Sequence, residues 1–232
     1  MKQEKRSRIT YEKILDAAIT EFGTKSYETA SLNTVCSENN ISKGLLYHHF
    51  KSKDDLYLHC VKACFQALTE FMKMNRKTPK SVQDGLQQLL QQRQQFFKEN
   101  PCYGNIFFNT VLQPPVHLRE ELREIRRDFD DFCHSAYVEL LGMLKLRECI
   151  TREMALEYFI LLQEMFNGYF QKKSYKNADF HTMIQEHEMN LSQILNIMLY
   201  GIALQPPANS LYLAHLYRSA QRSSREPSPQ QL

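Results

Sequence analysis

The chain has 232 residues, 43% of them hydrophobic, which is enough to bury a substantial core in one or two domains. Its net charge of +3 lies wholly in the first quarter: residues 1–53 hold nine Lys and Arg against six acids, and residues 54–232 hold twenty of each. The charged start MKQEKRSRIT lacks a following apolar segment of signal-peptide length, and the longest apolar run, Ile197 to Leu204, falls far short of the ~20 residues that span a bilayer. A membrane partner is therefore excluded and a cytoplasmic protein expected.

Six cysteines at 36, 60, 64, 102, 133 and 149 form no CxxC pair and read as reduced thiols. The two closest of the seven glycines, Gly85 and Gly104, are 19 residues apart, so neither a Walker P-loop nor a GxGxxG fingerprint is present. GxSxG and HExxH are also missing. Apolar residues recur at intervals of three and four almost throughout, and alternating β-branched runs are lacking, so the predicted fold class is all-α.

The first predicted helix runs from Thr10 to Phe22, with Ile14, Ala18 and Phe22 on one stripe and Gly23 as its stop. Ser31 caps a short helix, Leu32 to Glu38. Asn39 and Asn40 tolerate a tight left-handed turn, and Ser42 caps Lys43 to Phe50. Ser52-Lys-Asp-Asp55 has the form of a capping box that opens a helix to about Asn75.

Two short helices joined by a tight turn form a helix-turn-helix, whose second helix enters the major groove while the N-terminus of the first grips phosphate. Leu46 and Phe50, four residues apart, can face the core. Lys43, Gly44, Tyr47 and His48 then face outward: a charge, a close backbone approach and two hydrogen-bond donors. Ser31 and the helix it caps supply free amides for a phosphate. The same pattern fits a surface helical hairpin whose Tyr and His pack against neighbours, and the basic excess alone fits a solvated face as well as a polyanion partner.

The span from Arg8 to Leu68 resembles the DNA-binding domain of TetR-type transcriptional regulators. The resemblance rests on ILDAA at 14–18, VC at 35–36, SKGLLYHHF at 42–50 and KSKDDL at 51–56. Cys36 stands where the family usually has alanine, and Leu45 where it often has threonine at a DNA-facing position. A contact to a thymine methyl remains open to leucine there. The resemblance adds Lys53 as a phosphate contact, so the expected DNA-binding set is Ser31, Ser42, Lys43, Gly44, Leu45, Tyr47, His48 and Lys53.

Beyond residue 76 the pattern carries less chemistry. Thr78-Pro79 is read as cap and first turn of a glutamine-rich helix to about Lys98. CYGNIFFNTVLQ is a short aromatic helix stopped by Pro114-Pro115. A long helix is expected from Val116 to Leu146, with a stripe of Leu118, Leu122, Ile125, Phe129, Phe132, Ala136 and Leu140. The last two helices, Thr151 to Ser174 and Ala178 to Ala203, carry more apolar residues than one stripe needs, which suggests a partner subunit.

The resemblance implies that this pair builds a homodimer, which would place two recognition helices on a palindromic operator in double-stranded DNA. The expected domains are a three-helix helix-turn-helix domain at 8–68 and a larger helical effector-binding and dimerisation domain at 76–204, followed by a mobile tail at 205–232. A small-molecule effector pocket is expected around Tyr103, Asn105, Phe108, Asn109, Phe129, Phe132, Phe166, Asn167 and Tyr169, polar amides set among aromatics. The same aromatics equally describe a dry, filled core.

His59, Cys60 and Cys64, and likewise His181, His187 and Glu188, are loose clusters without metal-site spacing. No catalytic residue, metal or cofactor is expected. The functional expectation is a ligand-released DNA-binding repressor rather than an enzyme. The alternative is a TetR-fold DNA-binding or protein-interaction factor without ligand control.

Overall fold

The computed structural model describes residues 2–174 and 179–204, and every long regular element among them is an α-helix. In chain order these are α1 (Lys2–Thr24), α2 (Leu32–Glu38), α3 (Lys43–His49), α4 (Lys53–Met74), α5 (Val82–Glu99), α6 (Pro101–Leu112), α7 (Arg119–Gly142), α8 (Arg152–Ser174) and α9 (Phe180–Ile202). The expected mobile tail, 205–232, lies outside the described residues.

The N-terminal helices follow their caps. The Ser31, Ser42 and Ser52 hydroxyls each accept a backbone N–H of the helix they open, from Asn33, Leu45 and Asp55. The Asp55 carboxylate returns to Lys51 N at 2.7 Å, one residue before the Ser52 N–H on which a capping box closes. Asn40 turns the chain at φ 52°, the left-handed region that asparagine tolerates.

Several predicted boundaries move, each for a local reason. Helix α1 starts at Lys2 rather than Thr10 and passes through Gly23. That glycine does not stop the helix; it lets α1 close on α6, where a Cβ at position 23 would stand 2.4 Å from Cys102 Cβ and 2.7 Å from its Cα. The cap of α5 is Ser81 rather than Thr78, with Asp84 returning to Lys80 N at 2.7 Å. The helix expected from Val116 to Leu146 is shorter at both ends. Val116–Leu118 is a 3₁₀ turn, and α7 ends at Gly142. Leu146 leaves the helix to pair with Ala203 in an isolated antiparallel bridge, with Arg147 N on Ile202 O at 3.1 Å and Leu204 N on Lys145 O at 2.8 Å. Leu144 and Leu146, two apart and half-buried, suit an extended segment better than a helical one.

Among the described residues one hydrophobic cluster runs through α1 to α9. Helix α6 packs against α1, α4, α5 and α8, while α4 also lies along α7. Phe65 of α4, Phe107 of α6 and Phe129 of α7 meet with ring centroids 5.2–5.8 Å apart. Tyr57 of α4 is fully buried, and its hydroxyl lies 3.3 Å from Thr110 Oγ1 of α6. The helix that begins beside the recognition helix is therefore keyed into the rest of the bundle by polar as well as apolar contacts. No helix among the described residues is long and apolar enough to cross a membrane.

Candidate nucleic-acid interface

Helix α3 sits on a buried platform. Leu46 and Phe50 are fully buried; Phe50 stacks on Tyr11 of α1 at 5.1 Å and meets His59 of α4 edge-on at 5.3 Å. His49 leans on the Tyr11 ring, 6.2 Å away, and is half-buried. With these inward groups fixed, Ser42, Lys43, Gly44, Leu45, Tyr47 and His48 form a continuous exposed face. Of the two adjacent histidines, His48 faces out and His49 holds the helix to α1. An added Cβ at Gly44 would meet no atom within 4 Å.

Three of the expected DNA contacts are already engaged inside the protein; the Ser42 hydroxyl accepts Leu45 N at 3.2 Å. Ser31 gives its hydroxyl lone pair to Asn33 N and its own N–H to Glu21 Oε1 at 2.7 Å. Glu21 is a buried carboxylate that also takes Lys25 Nζ at 2.8 and 2.9 Å, so it ties the start of α2 to α1. Ser31 keeps one O–H donor for a phosphate. Lys53 is half-buried, with its ammonium 4.6 Å above the Tyr27 ring and donating to Glu28 O at 3.4 Å. Two of its three donors remain.

Beside Lys53, Tyr27 donates to Asp54, which also faces His117 Nε2 at 3.4 Å in the turn before α7. The Tyr27 hydrogen bond is the main reason the Asp54 carboxyl lies below its usual range. Burial, followed by that bond, pushes the Tyr27 hydroxyl up.

The expected effector residues separate into three groups. Phe129, Phe166 and Asn167 line a cavity of about 170 Å³ between α5, α6, α7, α8 and α9. Tyr103, Asn105, Phe108, Asn109 and Phe132 do not line it: Tyr103 stacks on Phe96, Asn105 donates to Gly23 O at 2.7 Å, and Phe108, Asn109 and Phe132 are buried. Tyr169 does not join them. It is 62% exposed on the outer face of α8, because two helical positions beyond Asn167 is a rotation of ~200°.

Charged groups also line or adjoin the cavity, and the sequence pattern, which named His187 and Glu188 only within a loose cluster, did not connect them with Arg93 or Asn167. Arg93 of α5 clamps Glu188 of α9 through two 2.7 Å bonds from Nη2, with both side chains mostly buried. His187 lies between Glu188 Oε1 and Asn167 Oδ1, 3.1 Å from each. Burial lowers the His187 pKa and would raise that of Glu188, but Arg93 and His187 outweigh burial and hold Glu188 at about 2. Burial pushes the neighbouring Cys133 thiol up to about 12.

Cys60 and Cys64 are fully buried, and burial pushes both thiols up, which makes them packing groups rather than nucleophiles. Among the described residues no cluster of His, Cys, Asp or Glu is arranged to hold a metal ion.

Residues 14–60 match the family model of bacterial regulatory proteins of the tetR family. A biofilm operon icaADBC HTH-type negative transcriptional regulator, IcaR of Staphylococcus aureus, is 39% identical over 79 residues, 34% of this chain and 42% of that one. Its Staphylococcus epidermidis counterpart is 37% identical over the same shares. The matched stretch thus spans less than half the length of these relatives. Two solved structures share the fold at low identity. A putative tetR family transcription regulator from Shewanella sp. PV-4 has TM-score 0.56 and 17% identity, covering 84% of this chain and 99% of that one. A TetR family regulator from Agrobacterium tumefaciens has TM-score 0.55 and 16% identity, covering 81% and 97%.

Proposed function

From the premise that this chain is a TetR-type protein, with the family's domain at residues 14–60, we propose that it is a sequence-specific DNA-binding transcriptional repressor acting as a homodimer and released by a small-molecule effector. The observation that carries the reading is the exposed α3 face, Lys43, Gly44, Leu45, Tyr47 and His48, held on a buried base. Residues 8–68 form the DNA-binding unit, joined by Ser31, Ser42 and Lys53 as phosphate contacts, and residues 76–204 the effector-binding and dimerisation unit. Repression follows from a bound dimer excluding polymerase, and the negative regulator IcaR supports that sign.

The dimer face is read from α8. Met154, Tyr158, Leu161, Met165 and Tyr169 form an exposed stripe at helical spacing, and Met189 and Ile197 stand out on α9. Joining two such faces about a two-fold axis can set two α3 helices ~34–36 Å apart, one turn of DNA. Effector control works through α4, which begins at Lys53 beside the recognition helix and runs past Phe65 against α6 and α7. A ligand that fits better with α4 tilted weakens DNA binding, and DNA weakens the ligand by the same factor.

One observation favours the reading without ligand control: most of the expected pocket residues pack into the core, and only Phe129, Phe166 and Asn167 of them line the cavity of about 170 Å³. The DNA assignment is tested with an operator selected from a random duplex pool. The Lys43→Ala, Tyr47→Ala double variant should lose the shift while remaining folded, since both side chains are exposed. Unchanged affinity would remove the assignment.

A further inference from the structure

The whole excess charge of the chain sits at its start. Residues 1–9 hold Lys2, Lys5, Arg6 and Arg8 against Glu4, which is +3, whereas residues 10–53 hold five basic and five acidic residues and residues 54–232 hold twenty of each. In the structure these residues open α1, ahead of residues 14–60 that the family model matches. Glu4 to Ile9 are all exposed, so the opening turns bury no face. A helical stretch of this kind gains nothing from packing, and cations in its first turns oppose the helix dipole. Arg8 pairs with Glu12 at 3.2 Å, but both side chains are well exposed and such a pair is worth little. The fold therefore has no use for this concentration of charge.

The far end of α1 sets the direction of these turns. Asn105 of α6 donates to Gly23 O at 2.7 Å and the Gly23 backbone closes on Cys102, so the last turn of α1 is fixed against α6. Midway along, Tyr11 packs on His49, Phe50 and His59, beneath α3 and the first turns of α4. The opening turns run on past this platform, away from α6, with Lys5 ~9 Å beyond Tyr11 along the helix axis. His48 of the exposed α3 face lies 5.1 Å from His49, which leans on Tyr11, so the basic turns continue that face. We propose that they are a second DNA contact, in which Lys5, Arg6 and Arg8 bind the phosphate backbone beside the half-site that α3 reads. A duplex held by α3 brings a row of negative charge, one per ~1.7 Å of its axis, alongside these side chains. Phosphate contacts carry no base sequence, so these residues add affinity and register rather than specificity. The inference rests on the DNA-binding reading above and extends its interface beyond the helix-turn-helix.

Fluorescence anisotropy on the selected operator compares the full chain with its Lys5→Gln, Arg6→Gln, Arg8→Gln variant across a range of salt. Each phosphate contact contributes ~0.9 to the slope of log affinity against log salt, so one to three contacts from each protomer of a dimer should make the variant's slope shallower by ~2–5. Over a fourfold rise in salt the unsubstituted protein should then lose at least ~10-fold more affinity than the variant. An unrelated duplex should be weakened by the same factor as the operator. Replacing the exposed Lys98, Arg123 and Arg127 of α5 and α7 by glutamine changes the net charge equally and should leave the slope as it was, which separates a contact from a general field. The Lys5, Arg6, Arg8 variant should melt no lower than the unsubstituted protein, because it relieves the helix dipole. A slope shallower by less than ~1, a loss confined to the operator, an equal change in the control variant or a lower melting temperature would each overturn the proposal. Operator binding with an unchanged slope in the variant removes this contact alone, whereas an unsubstituted chain that binds no duplex removes the DNA-binding reading and this contact with it.

Discussion

Replacing Gly44 by alanine is expected to stabilise the fold while weakening the hold on DNA. A glycine inside a helix costs about 0.5–1 kcal/mol relative to alanine. Nothing in the fold requires that cost at position 44, because a Cβ there would have no atom within 4 Å and the backbone φ is not positive. Thermal unfolding should therefore move up by roughly 1–4 °C for a chain of this size. On DNA the same methyl lies on the face that meets the groove. If it holds α3 off far enough to lose one phosphate hydrogen bond per half-site, at about 1–1.5 kcal/mol each, the dimer loses about 2–3 kcal/mol, or ~30–150-fold in affinity. Fluorescence anisotropy on the selected operator and a melting curve on the same sample read both effects. A variant that melts lower shows that the fold needs the glycine. One that melts higher and binds DNA unchanged removes close backbone approach as its purpose.

Gly23→Ala should behave in the opposite way, losing about 1–3 kcal/mol despite better helix propensity, because the new methyl collides with Cys102 at 2.4 Å and with its backbone; an unchanged melting temperature would mean that α1 and α6 are not so closely packed. Glu188, ordinarily near 4.5 and held at about 2, contributes stability that is complete above about pH 4.5 and is lost as pH falls toward 2. Glu188→Ala should cost about 3–5 kcal/mol at pH 7 by stranding Arg93, and should flatten that acid branch of urea-denaturation stability. Leu161→Glu, placed in the exposed α8 stripe, should turn a dimer into a monomer in sedimentation equilibrium with little change in helical content; a dimer that persists puts the interface elsewhere.

The helix-turn-helix was legible because its determinants are local. Serine caps, an asparagine turn and the Leu46–Phe50 pair lie within a few residues of what they control, and the structure bears each of them out. The stripe of α7 was legible for the same reason. Boundaries were not, where a distant segment overrules the local rule. Gly23 looks like a helix stop until Cys102 is seen to need its space, and Leu146 looks helical until Ala203 offers it a bridge.

The cavity is the extreme case. Arg93 and Glu188 are 95 positions apart and His187 and Asn167 are 20 apart, so neither periodicity nor motif connects them. The spacing rule applied to His181 and His187 asked about one helix only. The partner that matters to His187 is Asn167 on α8. Arg93 sits in a glutamine-rich helix whose polar face reads as solvated, yet the packing of α9 against α5 turns part of that face inward. A buried ion pair gives up hydration that only good geometry repays. Replacing Arg93 and Glu188 together by apolar residues of similar volume should therefore cost far less stability than replacing Glu188 alone. A double variant that loses as much stability as Glu188→Ala alone would instead show that the attraction within the pair exceeds the hydration it gave up.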